Sequence, residues 1–210
     1  MRRQNELASF FPTVRRRLAQ LEGILDNGRF KNETEWDKRV SYVCIEALNA
    51  WVCFFRFYYI SSACGAKDKA GARITSARGL LNSQTAMIEA VRYKRNKPQF
   101  NGAFKWSDEP VWYKPADMQA LFATVGLSNQ GTLVRAFGHQ TNVFIALPIF
   151  RNFYAHRSLG TKISINPLAL GLPQLNHPSK ILRFPFPQRQ RPAISDWLSD
   201  LTIVADLLCN

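Results

Sequence analysis

The chain of 210 residues is short of acid, short of histidine and poor in paired cysteine. Its four cysteines, Cys44, Cys53, Cys64 and Cys209, form no CxxC pair and have no histidine at zinc-ligand spacing. That argues against a disulfide framework and a structural metal, and implies a reducing compartment. The first three lie in or beside an apolar stretch, where a free thiol acts as a small hydrophobe. The start, Met1-Arg2-Arg3-Gln4-Asn5-Glu6, runs into a segment too charged for a signal-peptide core. One run, Val43 to Ile60, is apolar enough to suggest a membrane, yet Glu46, Asn49 and Arg56 interrupt it and would be costly in lipid. A buried central helix is the expectation there, no membrane partner is expected, and the chain is read as soluble and cytoplasmic. Repeats and low-complexity segments are also lacking. No alternation of strand and helix patterns appears, which argues against a parallel α/β sheet.

What the chain has is positive charge. Against 28 Lys and Arg stand 15 Asp and Glu, a net charge of +13. Such a balance says little about fold but names the partner class: a polyanion, either nucleic acid or an acidic membrane face. The membrane face is the weaker reading, because the first helix carries Arg15, Arg16 and Arg17 without a clean basic face. The apolar share of 46% suffices for a sizeable core, and the length fits one domain over residues 1–210.

Helical periodicity dominates. Leu7, Phe10, Phe11, Val14, Leu18, Leu21 and Leu25 recur at spacings of three and four, predicting a helix over 4–26 with Gly28 as its stop. Asn32 and Glu35 make a capping box that opens a long helix to about Ser62. From Trp51 to Ile60 that helix is apolar nearly all round, as expected of a bundle's spine or a subunit interface. Residues 64–82 read as a mobile basic loop around Lys67, Lys69, Arg73 and Arg78. A helix over 83–95 ends in Arg92, Lys94 and Arg95, which suit the negative end of its dipole. Residues 96–113 predict an irregular loop with a short hairpin.

Further helices are expected from Pro115 to Gly126, over 128–137, and from about Gln140 to Ser158 with a kink or a start at Pro148. Five prolines between 160 and 191 exclude a long helix, and Ile163–Ile165 and Ile181–Phe184 read as short strand-like pieces. Ala193–Leu208 closes the chain as an amphipathic helix. The fold class is therefore all-α, a helical bundle with irregular loop insertions.

Of the three histidines, His139 sits at a helix junction as a cap or loop contact, and His177 precedes Pro178 in a proline-rich loop. His156 differs in its company: Arg151-Asn152-Phe153-Tyr154-Ala155-His156-Arg157. On a helix Asn152 and His156 share a face, with Arg151 at its edge. Leu147, Phe150 and Tyr154 point to another side and anchor the helix. A polar strip opposite an apolar anchor is what a site on a rigid element needs. A purely structural alternative has Gly160 as the helix C-cap, with His156 and Arg157 complementing the dipole.

The run Arg151-Asn152-x-x-x-His156 resembles the signature of the HEPN superfamily, the helical domains of many RNases, and it falls in a late helix of a small all-α chain as it does there. The resemblance implies metal-independent cleavage of RNA, without cofactor, to a 2′,3′-cyclic phosphate and a 5′-OH. It casts His156 as the acid/base, Arg151 as the phosphate clamp and Asn152 as an orienting residue. Arg157 and Tyr154 are weaker candidates for RNA contacts, Tyr154 with a core role as its alternative. It also implies a homodimer in which two motif helices meet, because a single imidazole reaches one side of the phosphorus. An antitoxin or inhibitory RNA as regulator, in a toxin–antitoxin or anti-phage setting, belongs to the same expectation. Control by modification of a tyrosine two residues after the motif histidine lacks its acceptor, since position 158 is Ser. The rival function is a basic helical module that binds RNA or DNA without catalysis.

Overall fold

The computed structural model describes residues 6–26, 32–139, 142–165, 177–185 and 190–210. Among them every regular element is helical, so the fold is an all-α bundle with loop insertions, as the sequence implies. The helices are α1 (Phe11–Asp26), α2 (Glu33–Ala63), α3 (Ser83–Arg95), α4 (Pro115–Val125), α5 (Gln130–His139), α6 (Asn142–His156), α7 (Leu159–Ile163), α8 (Pro178–Arg183) and α9 (Ala193–Cys209). Short 3-10 turns cover Leu7–Ser9 and Trp106–Asp108.

Local chemistry sets most of these boundaries. The first helix begins at Phe11 rather than residue 4, because Pro12 lacks an N–H and is tolerated only in a first turn. Asn32 Oδ1 accepts from Glu35 N at 2.9 Å and so caps α2. Asn82 caps α3 the same way through Thr85 N, at 2.8 Å. Pro115 opens α4, and Gly126 closes it in the left-handed region at φ 67°. A Cβ at Gly126 would stand 2.4 Å from the Ala77 Cβ, so both conformation and space demand glycine there.

Three expectations fail for identifiable reasons. Ile163 closes α7, and Ile181 to Arg183 lie in α8, so neither piece is a strand. Pro178 at the first position of α8 carries the same start signal as Pro115, and it outweighs the β-favouring side chains. The expected hairpin within 96–113 is absent; that segment holds only the 3-10 turn. The basic loop is pinned rather than loose. Ala77 N donates to Gly126 O at 3.0 Å, Ser128 N to Thr75 O at 3.0 Å, and Leu7 N to Lys67 O at 3.0 Å. The expected stop at Gly28, the start at Gln140, and Pro167, Pro173 and Pro187 lie outside the described residues.

The described residues fall into two compact units. One is drawn from Met1–Val14, Trp51–His139 and Val204–Asn210. Its core is aromatic: Trp51, Phe55, Tyr58 and Tyr59 of α2 meet Phe122 of α4 and Phe137 of α5 at centroid distances of 5.6–6.3 Å. One side of the apolar second half of α2 is thus core, while Phe57 on the other is exposed. Glu109 is buried beside it, accepting from Arg56 Nε at 2.8 Å and from Trp112 Nε1 at 2.9 Å. Two of the basic residues that end α3 do more than complement its dipole. Arg92 donates to the Phe100 carbonyl at 2.5 Å, and Arg95 pairs with Asp108 at 2.6 Å, so both hold the following loop.

The other unit is drawn from Arg15–Ala50 and Gln140–Ile203. Leu18, Leu21 and Leu25 of α1 are buried there, with Val40, Val43 and Ala47 of α2 and Trp197 and Leu198 of α9. Phe150 of α6 meets Trp197 edge-on at 5.5 Å. Among the described residues α2 is the one helix long and apolar enough to cross a membrane, and half of that apolar window is buried inside the protein.

Candidate functional site

The site builds on α6, whose inward face is Val143, Phe144, Ala146, Leu147, Phe150, Phe153 and Tyr154, all buried. Burial of that face keeps the helix continuous through Pro148, where an interior proline costs about 3 kcal/mol. Pro148 therefore neither starts nor ends the helix. The outward face of the last two turns carries the motif. Asn152 and His156 are exposed and Arg151 is half-buried beside them. None of these three side chains makes a hydrogen bond or ion pair with the described residues, so their polar atoms are free to meet a ligand.

α6 ends in an unusual way. Gly160, the expected cap, lies inside α7; the left-handed residue is Arg157, at φ 47°. Its N–H donates to Phe153 O at 2.6 Å and closes the helix. A residue with a Cβ pays about 1–2 kcal/mol for that conformation. Its side chain supplies compensation: Nη1 lies 2.8 Å from Asp37 Oδ2, and Nη2 donates to Ser41 Oγ at 2.8 Å. The guanidinium also stands over the Tyr154 ring at 5.8 Å. Arg157 is half-exposed but already engaged, a weaker candidate for RNA than its position suggested. Tyr154 is 5% exposed and packs in the core, its hydroxyl buried without a hydrogen-bond partner. Burial pushes that phenol far above its ordinary range, with Cys44 and Asp37 adding to the effect. The core alternative describes Tyr154. Ser158 caps α7 through Thr161 N at 3.2 Å.

A second cluster stands at the same end of α6, and sequence reasoning missed it. His177 precedes α8, and its ring meets Phe153 edge-on at 6.4 Å. Its Nδ1 is 2.7 Å from Ser179 Oγ and 3.8 Å from Asp37 Oδ1. That Asp37 oxygen is buried and has no hydrogen bond. Ser179 is itself fixed, since its carbonyl accepts from Trp36 Nε1 at 2.8 Å. The available signal was again Pro178: read as a helix start, it makes His177 a fixed flanking residue rather than part of a loop. His139 is the last residue of α5 and is not part of this cluster. Among the described residues, no group of three or more His, Cys, Asp or Glu could hold a metal ion.

Compared with known proteins, the chain matches no family model, no curated protein and no solved structure. The functional reading therefore rests on the motif and its surroundings.

Proposed function

We propose that this chain is a metal-independent endoribonuclease of HEPN type, serving as a toxin or anti-phage effector. The observation that carries the reading is the pairing of exposed, unengaged Asn152 and His156, with Arg151 at their edge, on a helix whose opposite face is fully buried. RNA brings its own nucleophile, the 2′-OH, so the protein must only handle protons and stabilise charge. The imidazole of His156 can take or return the proton. Arg151 offers a planar fork of donors to the phosphate oxygens as charge builds on them. Asn152, one helical turn before His156, orients one of the two. The products are a 2′,3′-cyclic phosphate and a 5′-OH. A net charge of +13 favours RNA as the partner. In this reading a homodimer brings two motif helices together, and an antitoxin or inhibitory RNA restrains the activity.

A second reading is a basic module that binds RNA or DNA without cleaving it. It is favoured by the position of His156 in the last turn of α6, where a cation complements the helix dipole, and by the structural employment of Arg157. Metal-free cleavage of RNA by the wild type, lost in His156→Ala and Arg151→Ala, separates the two.

A further inference from the structure

Four of the five tryptophans in this chain are buried: Trp36, Trp51, Trp112 and Trp197 are at most 3% exposed. Trp106 is 61% exposed, at the start of the 3-10 turn Trp106–Asp108. We infer that Trp106 is a stacking platform for the bases of single-stranded RNA, with Lys94, Lys97 and Lys105 meeting its phosphates. This rests on the reading of RNA as the partner, and it holds whether or not the RNA is cut. It adds a binding surface in the unit that does not carry the motif.

Three observations carry it. First, the exposed ring stands on a pinned turn. Lys105 N donates to Asp108 Oδ2 at 2.8 Å, Glu109 N donates to Trp106 O at 3.1 Å, and Arg56 lies over the indole, 5.7 Å from its centroid. A ring already held in place loses little freedom when a base settles on it. Second, cations and rings are interleaved there. Arg95, in the last turn of α3, pairs with Asp108 at 2.6 Å and also lies over the Phe100 ring at 4.9 Å, so the end of α3 meets the Trp106 turn. Exposed rings among cations are the recurring arrangement for single strands. Third, positive charge is in surplus. The acids from Glu89 to Glu109 are Glu89, Asp108 and Glu109, and each is taken by an arginine: Arg92 at 2.6 Å, Arg95 at 2.6 Å and Arg56 at 2.8 Å. Lys94 and Lys97 flank Arg95 in the chain and Lys105 precedes Trp106. All three are exposed and form no salt bridge among the described residues.

The chemistry selects a single strand. Every base offers a π face to an indole, so such a platform reads strandedness rather than sequence. In a duplex the bases are stacked on one another and closed to the ring. The lysines, compact charges on flexible stems, can follow the phosphates on either side of a stacked base. In the chain Trp106 lies between exposed Lys105 and Ser107 rather than within further apolar surface, which argues against a protein or a lipid as the occupant.

The test titrates the full chain with a 2′-O-methyl RNA of about 12 nucleotides, which lacks the attacking 2′-OH, and with the same strand as a duplex. Affinity is read from the anisotropy of labelled RNA, and stacking from tryptophan fluorescence, in wild type, Trp106→Phe and Trp106→Ala. The single strand is expected to quench wild-type emission and to shield it from acrylamide, and the duplex to do neither. Trp106→Phe should bind within about threefold of wild type but without the quench, since phenylalanine also offers a face. Trp106→Ala should bind about tenfold or more weakly, with circular dichroism matching wild type. Tight binding without quenching, wild-type affinity in Trp106→Ala, or equal quenching by the duplex overturns the platform alone. Absence of any RNA binding by wild type overturns it together with the reading of RNA as the partner. Quenching as expected, beside ordinary RNA left uncut in EDTA, supports the platform and removes the ribonuclease reading.

Discussion

Arg157 reaches from the left-handed turn after α6 to Asp37 near the start of α2, with Nη1 2.8 Å from Oδ2. The contact joins two elements 120 residues apart in sequence and fixes the end of the motif helix. It also explains why an arginine occupies a position where glycine is the common choice. The guanidinium neutralises a carboxylate that is largely buried, and backbone strain is tolerated in return.

Arg157→Ala is expected to destabilise the protein by about 1–2 kcal/mol, because it leaves Asp37 without its cation while keeping a Cβ in the left-handed region. The half-exposed side chain of Arg157 keeps that figure at the low end of values for paired buried charges. Arg157→Gly loses the same ion pair but relieves the backbone. It should therefore unfold at a higher urea concentration than the alanine variant. Urea melts of the two that coincide, or in which glycine is the weaker, would remove the strain from this account.

Glu109 is a purely structural counterpart. It is 7% exposed and accepts from both Arg56 and Trp112. Glu109→Ala strands the guanidinium and the indole N–H together and should cost about 3–5 kcal/mol. RNA cleavage per folded molecule should stay at the wild-type level, since Glu109 belongs to the unit that does not carry the motif. A Tm within a degree of wild type would show that the pair contributes nothing.

The sequence made the helices legible wherever an end carried its own chemistry. Pro115, Gly126, Asn32 and Asn82 each mark a boundary by a hydrogen bond or a backbone constraint that needs no distant partner. The apolar stripe extends past the start of α1, which Pro12 instead sets by needing a first-turn position. The short helices α7 and α8 were missed because five or six residues carry too little periodicity to compete with β-favouring side chains. Around the candidate site, the shared exposed face of Asn152 and His156 was legible through their i, i+4 spacing. Asp37, Ser41 and Ser179 were not, since they approach Arg157 and His177 only through tertiary packing. The left-handed turn at Arg157 was equally hidden, because no local rule puts arginine there and its support comes from α2.

Alkaline pH should unfold the protein early. Burial pushes the Cys209 thiol up to about 12 from an ordinary 9.0, with Asp206 adding. Burial also raises Cys44, Tyr58, Tyr59 and Tyr154 above their ordinary ranges. A raised pKa in the folded state contributes stability that is intact below the unfolded value and is lost as pH climbs toward the folded one. The Tm should therefore hold up to about pH 8.5 and fall from about pH 9 onward, where unfolded thiols and then phenols ionise. Cys209→Ala should flatten part of that fall. A Tm constant between pH 9 and 11 would contradict the sign.

RNA binding should weaken steeply with salt, since cations meeting phosphates release counterions. At an ionic strength low enough to hold the complex, His156→Ala should bind within about threefold of wild type, because the imidazole acts in chemistry rather than attraction. Filter binding across a salt series gives both numbers. Binding indifferent to salt would remove the polyanion from this account.

The central claim meets its most direct test in purified protein incubated with cellular RNA in EDTA, comparing wild type, His156→Ala and Arg151→Ala. The account predicts cleavage by wild type alone, with 2′,3′-cyclic phosphate and 5′-OH ends on the fragments. Wild type and both variants cutting equally, or none of them cutting while salt-sensitive binding persists, would contradict it.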